Sequence, residues 1–222
     1  MSHTIPRGEH AADIETFRQR LLAALLAADR DAAEAVIDDA LSDGTDGIAI
    51  LDDVVSPVMR QIGGLWANGE ISVTDEHRAT VVAHATLGRI YPNLVTAEPR
   101  SRGRVLLAGA EGEEHVFGLR MIADVLEGCG FDVRNVGGGL APDVLASAVR
   151  RHRPVLVGLA DTMGGVSALS RSIAAVRSVD PSLPMLVGGA GATAAAGLAE
   201  RCEVCASARG AREAAERLLG LS

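Results

Sequence analysis

Residues 104–118 read RVLLAGAEGEEHVFG, and this stretch decides the fold. Val105 to Ala108 run apolar without alternation into Gly109, the pattern of a strand buried on both faces. Four further short strand-like segments follow: FDVRNVG at 131–137, PVLVGLA at 154–160, PMLVGG at 184–189 and EVCAS at 203–207. Between and after them, helical periodicity returns near 116–128, 142–152, 165–178, 190–200 and 210–219. Strands alternating with helices imply a parallel sheet covered on both faces, and such sheets receive ligands at the carboxyl ends of their strands.

A five-stranded flavodoxin- or Rossmann-like sheet in the order 2-1-3-4-5 is therefore expected over residues 104–222. The loop that leaves its first strand, Glu111 to Gly118, lies at the ligand edge. Three Glu in four residues would repel a phosphate, and no Lys follows. A His flanked by carboxylates suits a metal ligand instead. Glu113 can accept the second ring N–H of His115, which selects the tautomer and strengthens the donor. Gly118 lets a bulky ligand approach the backbone. A solvated acidic loop with an incidental His fits these residues equally well.

Upstream, the periodicity is helical throughout, over roughly 12–28, 31–42, 45–67 and 73–91. Asp29, Ser42 and Ser72 stand where N-caps are wanted. Tyr91-Pro92 closes the fourth stretch. The chain divides into a flexible N-terminus (1–11), a four-helix bundle (12–96), a Pro- and Gly-containing linker (97–103) and the sheet domain (104–222). The fold class is thus α/β with an all-α N-terminal domain.

Composition narrows the function. The 222 residues are 48% apolar and carry a net charge of -8; all 21 bases are Arg. Residues 1–100 hold sixteen acids against eight Arg, whereas the remainder is balanced at thirteen each. Nucleic acid contact needs a clustered positive surface, and single-strand binding needs aromatic platforms. Aromatics are only 2% of the chain. No apolar run is long enough to span a bilayer. Cys129, Cys202 and Cys205 form no disulfide framework, which fits a reducing cytoplasm. Cys202 and Cys205 make a C-x-x-C, read as buried strand filler because no second pair completes a zinc site.

Glu113-x-His115-x-x-Gly118 resembles the D/E-x-H-x-x-G motif of cobalamin-binding domains. In that family S-x-L or S-x-T follows at the end of the third strand and Gly-Gly after the fourth. Ala160-Asp161-Thr162 and Gly188-Gly189 occupy those places. The resemblance implies that His115 coordinates cobalt from below, displacing the cofactor's own base, with Glu113 supporting it. It implies that Gly188 and Gly189 leave room for the nucleotide tail. Ala160 replaces the Ser that would hydrogen-bond the displaced base, and Thr162 offers a hydroxyl nearby.

In the helical half, Trp66 precedes Glu76-His77 in a W-x9-E-H pattern. Taken alone, these are a core Trp and an exposed Glu-His pair. Beside a cobalamin domain they resemble the cap of adenosylcobalamin-dependent photoreceptors, the CarH-type light sensors. That resemblance places Trp66 against the adenosyl group and Glu76 and His77 over the upper face of the corrin. Ala67 stands where such sensors can carry a His that ligates cobalt after illumination. His77 and His84, seven apart on one helical face, are the alternative donors, although His84 reads first as a bundle-packing residue. CarH-type regulators also carry a helix-turn-helix DNA-binding domain, for which residues 1–11 are too few.

The expectation is a cytoplasmic light sensor that holds adenosylcobalamin base-off with His115 on cobalt. Light would change cap packing, and with it a homo-oligomer (dimer or tetramer) or the binding of a downstream protein. No residue is assigned to catalysis, and neither nucleic acid nor membrane is expected as a partner. Standalone photocobilins resemble these sensors and add a bilin, so biliverdin is a second cofactor this family admits. The alternative is a corrinoid protein that carries methyl groups for a methyltransferase system. An adenosylcobalamin mutase subunit ranks third, since it would need a separate catalytic barrel.

Overall fold

Caps and one Pro shape the helices of the first half as much as periodicity does. The computed structural model describes residues 7–95, 100–162, 166–189, 191–192 and 202–221. Its contacts divide the chain into two units, Met1–Asn93 and Leu94–Ser222. The first contains α1 (Arg7–Leu26) and α2 (Arg30–Ser42). A continuous rod follows, made of α3 (Gly47–Ala49), a π-helical stretch Ile50–Val55 and α4 (Ser56–Ala67). Helix α5 (Val73–Leu94) runs from this unit to its boundary.

The Asp29 carboxylate accepts the Ala32 N–H at 3.0 Å and so starts α2. Asp46, not Ser42, starts the rod, by accepting the N–H groups of Ile48 and Ala49. Two more turn residues fit between Ser42 and the first helical residue than its periodicity suggested. Ser72 and Asp75 form a reciprocal cap. The Ser72 hydroxyl accepts the Asp75 N–H at 3.2 Å, and the Asp75 carboxylate accepts the Ser72 N–H at 3.1 Å. In the π stretch the Ser56 N–H reaches back five residues to the Leu51 carbonyl. Pro57 has no N–H, and the Asp53 carbonyl four residues before it accepts Arg18 Nε from α1 instead.

Leu21, Leu25, Ile37, Ile50, Leu51, Val58, Ile62, Leu87 and Ile90 fill the core of this unit. Two expectations are corrected. Residues 7–11 are helical rather than a flexible leader, because polar helix formers extend α1 past its first apolar residue. Helix α5 continues through Pro92 to Leu94. A Pro in the last turn forfeits one hydrogen bond without interrupting a longer run.

The second unit has the expected sheet. Its elements are β1 (Arg104–Gly109), α6 (Phe117–Gly128), β2 (Asp132–Asn135), α7 (Pro142–His152), β3 (Leu156–Ala160) and α8 (Val166–Val179). Strands β4 (Met185–Gly188) and β5 (Cys202–Cys205) and helix α9 (Ala208–Leu219) complete it. All neighbours are parallel, in the order β2-β1-β3-β4-β5. Successive strand residues face opposite sides. Leu106, Ala108, Val157 and Leu159 pack with Leu145 and Val149 of α7 and Leu169 and Ile173 of α8. Val105, Leu107 and Leu186 pack on the other side with Leu119 and Leu126 of α6 and Ala211 and Ala214 of α9.

The helix expected at 190–200 lies mostly outside the described residues. Strand β5 is less buried than its apolar letters suggested: Cys202 and Cys205 are half-buried and Val204 is exposed. It has β4 on one side only, so it is the sheet's edge. Among the described residues no helix is long and apolar enough to cross a membrane.

Candidate cofactor site

The strand register gathers motifs that lie far apart in the chain. Gly109 pairs with Ala160, Ala160 with Gly188, and Gly188 with Cys205. A row of small residues thus closes the carboxyl edge of four adjacent strands, and the His115 loop rises from the first of them.

That loop begins with a turn in which the Glu113 N–H reaches the Ala110 carbonyl at 2.9 Å. Gly112, at φ 80°, supplies the left-handed third position such a turn requires. The turn delivers the Glu113 side chain inward, where it is 3% exposed. One carboxylate oxygen accepts the His115 backbone N–H at 2.6 Å and meets His115 Nδ1 at 2.7 Å. The other accepts the Thr162 backbone N–H, from the residue after Asp161 at the end of β3. Burial alone would raise the Glu113 pKa. The two amides and the imidazole outweigh it and hold the carboxyl below its ordinary range.

A carboxylate on Nδ1 selects the tautomer with its proton there, which leaves the Nε2 lone pair as the available donor. The imidazole is exposed. Gly118, in the first turn of α6, has open space where a Cβ would stand. Both observations fit a large ligand approaching this edge. Gly189 has φ 99°, and a Cβ there would lie 2.3 Å from the Asp161 carbonyl oxygen. Its lack of a side chain therefore seats the backbone that holds Thr162. The part of Thr162 engaged here is its amide, and the Ala160 carbonyl accepts the Ala110 N–H at 2.8 Å.

Glu113, His115, Ala160, Thr162, Gly188 and Gly189 thus assemble on one edge. Two glycines that contribute escaped notice in the sequence. A Cβ on Gly109 would lie 2.8 Å from Gly138 Cα, and one on Gly138 would lie 2.2 Å from the Glu113 carbonyl oxygen. The triplet Gly137-Gly138-Gly139, one residue beyond β2 at the ligand edge, was the available signal.

In the helical unit, Trp66 lies in the last turn of α4 and is 38% exposed. Glu76 and His77 lie in the first turns of α5, after the short 68–72 connection, so all three residues stand at the ends of α4 and α5 joined by it. Glu76 accepts the Thr80 hydroxyl at 2.9 Å, and His77 Nε2 is 3.6 Å from its second oxygen. His77 is exposed and His84 half-buried. Trp66 is therefore not the core residue that the sequence alone suggested.

Among the described residues no three His, Cys, Asp or Glu converge on one point. A single imidazole on a glycine-rich edge suits a metal whose other ligands come with its own macrocycle. The thiols of β5 do not compete. Burial, aided by Glu203, raises Cys205 to about 11, and burial also raises Cys202. Both stay protonated at neutral pH, whereas metals bind the thiolate.

Residues 17–91 and residues 103–219 each match a family model described as a B12 binding domain. The chain belongs to the B12-binding family. Cobalamin is accordingly the cofactor that the two matched domains imply. This B12-binding protein is 32% identical over 194 residues to the HTH-type transcriptional repressor CarH of Myxococcus xanthus, covering 86% of this chain and 63% of that one. It is 24% identical over 131 residues to the trimethylamine corrinoid protein of Methanosarcina barkeri, covering 58% and 60%. The chain thus spans less than two thirds of the length of these relatives. Its fold is that of the Methanosarcina barkeri monomethylamine corrinoid protein, with TM-score 0.74, 17% identity, and 94% and 99% of the two chains covered.

Proposed function

We propose that this B12-binding protein is a light sensor that would hold adenosylcobalamin with His115 as the protein's ligand to cobalt. The observation that carries the ligand assignment is the bond from His115 Nδ1 to the buried Glu113 carboxylate, which leaves Nε2 as the donor. Similarity to CarH and the exposed Trp66 support the light-sensing part. When bound, the cofactor supplies a cobalt–carbon bond that absorbs visible light and breaks homolytically.

The chain's own residues do the rest. Glu113 keeps the imidazole in one tautomer, and Gly188 and Gly189 keep side chains away from the nucleotide tail. Trp66, Glu76 and His77 would hold the adenosyl group. Without that group the indole would lack its packing partner, and the protein would change its self-association or its hold on a downstream protein. His77 or His84 would offer a second nitrogen donor after illumination, since Ala67 cannot.

The test is reconstitution with adenosylcobalamin in darkness, followed by absorption spectra and size-exclusion chromatography before and after green light. A light-driven spectral change with an altered elution volume is expected. A spectrum indifferent to light overturns the sensor reading. Similarity to the trimethylamine corrinoid protein favours a second reading, a carrier of methyl groups. Under it, methylcobalamin would bind at least as well as the adenosyl form. Adding biliverdin to the same preparation tests for a second chromophore through a new long-wavelength band.

A further inference from the structure

The turn that carries His115 is held at a second point, remote from its own carboxylate. Glu111 occupies the second position of the Ala110–Glu113 turn, where its N–H points away from the turn's own hydrogen bond. That amide is donated to the Ser172 hydroxyl at 3.2 Å. Ser172 lies in α8 and is fully buried. Next to it, Arg171 reaches the Glu111 carboxylate with two guanidinium nitrogens, at 2.7 and 2.6 Å.

Glu113, two residues further on, is held by the amide of Thr162, on the connection that leads into α8. Both halves of the turn are therefore fastened to a single strand-to-helix unit. The buried hydroxyl satisfies a loop amide that no carbonyl among the described residues accepts, and the exposed Arg171–Glu111 pair aligns the turn over it.

We propose that Ser172, assisted by Arg171, is a positioning residue that fixes the His115 loop so that the imidazole presents Nε2 at the edge of the sheet. The proposal rests on His115 being the cobalt ligand. It adds that α8, rather than Glu113 alone, sets the geometry of that ligand. Any displacement of α8 along its axis is then passed through Glu111 to the His115 turn.

The test begins with the protein free of cofactor, carrying isotope-labelled histidine, and reads the ring nitrogens of His115 by NMR. Wild type should show one tautomer with the proton on Nδ1. Ser172→Ala should move both ring nitrogens toward averaged positions, Arg171→Gln should move them less in the same direction, and Ser172→Thr should restore the wild-type pattern. Hydroxocobalamin is then added to the protein carrying 15N-histidine and reduced, and electron paramagnetic resonance reads the fraction of cobalt with the doublet splitting of histidine nitrogen rather than the triplet of the cofactor's own base. The affinity for hydroxocobalamin should fall roughly tenfold in Ser172→Ala, as expected for leaving one loop amide unmatched.

Wild-type ring signals together with a wild-type fraction of imidazole-ligated cobalt in Ser172→Ala would overturn the proposal. If circular dichroism shows that Ser172→Ala is unfolded, Arg171→Gln, altered only at the surface, decides the matter. Absence of imidazole splitting in the wild type would defeat the ligand assignment of His115. The ring-nitrogen comparison would still judge Ser172 by itself.

Discussion

Replacing Glu113 by Gln keeps the shape of the side chain and exchanges one acceptor oxygen for an NH2 group. The carboxylate serves N–H donors on both sides: the His115 amide and ring on one oxygen, the Thr162 amide on the other. In either orientation a Gln amide must turn its NH2 toward at least one of these donors. One buried N–H is left unmatched and the charge-assisted character of the remaining bonds is lost, which together costs about 2–4 kcal/mol. Denaturant unfolding of the cofactor-free protein at pH 7 should report that loss.

The pH dependence gives a second reading of the same substitution. The folded pKa of Glu113 lies below its ordinary value. Its contribution to stability is therefore fully present above the unfolded pKa of about 4.3 and is lost as pH falls through the lower folded value. The gap between wild type and Glu113→Gln should accordingly narrow on acidification below about pH 4.3. A loss under about 0.5 kcal/mol at pH 7, or a gap independent of pH down to about 3, would refute the assignment of Glu113 as the clamp.

Replacing His115 by Ala removes the nitrogen donor while leaving the fold intact, since the imidazole is exposed. Bound cobalamin should then show the absorption spectrum of its base-on form or bind weakly, as judged by titration. Gly189→Ala forces a Cβ against the Asp161 backbone from a left-handed conformation. It should cost roughly 2–4 kcal/mol of unfolding free energy and disturb the Thr162 amide resonance. Covering the exposed part of Trp66, roughly 90 Å2 of a ~250 Å2 side chain, contributes about 2 kcal/mol. Trp66→Ala should thus weaken adenosylcobalamin binding roughly 30-fold while leaving methylcobalamin little changed, measured by competition.

The strands of the sheet were legible because buried parallel strands write themselves as uninterrupted apolar runs, and Val105 to Ala108 is such a run; their order followed from choosing the flavodoxin-like arrangement of five strands. Glu113 and His115 stood out because, with Gly118, they resemble the motif of cobalamin-binding domains; the loop by itself fitted a solvated acidic turn equally well. The reach of Glu113 to Thr162 was not: 49 residues separate them, and only the pairing of β1 with β3 brings them together. The burial of β5 was misjudged because the letters of an edge strand and a central strand differ little. The start of the rod at Asp46 was missed because Ser42, Asp43 and Thr45, just before it, carry similar cap chemistry. The start of α1 was missed because its first turns have no apolar face to announce them.

The π-helical stretch Ile50–Val55 has a consequence for how this chain tolerates changes in length. An α-helix advances about 100° per residue, so a single insertion or deletion ordinarily swings everything beyond it onto a different side. A π turn stores one residue of slack. Deleting one residue between Ile50 and Val55 would let the rod tighten to ordinary α geometry, shortening it while preserving the azimuth of α4 relative to α3. The same deletion within α4 would turn Trp66 by about 100°. Length variation among relatives should therefore accumulate in these six residues, which act as an expansion joint between the start of the rod and the tryptophan at its end.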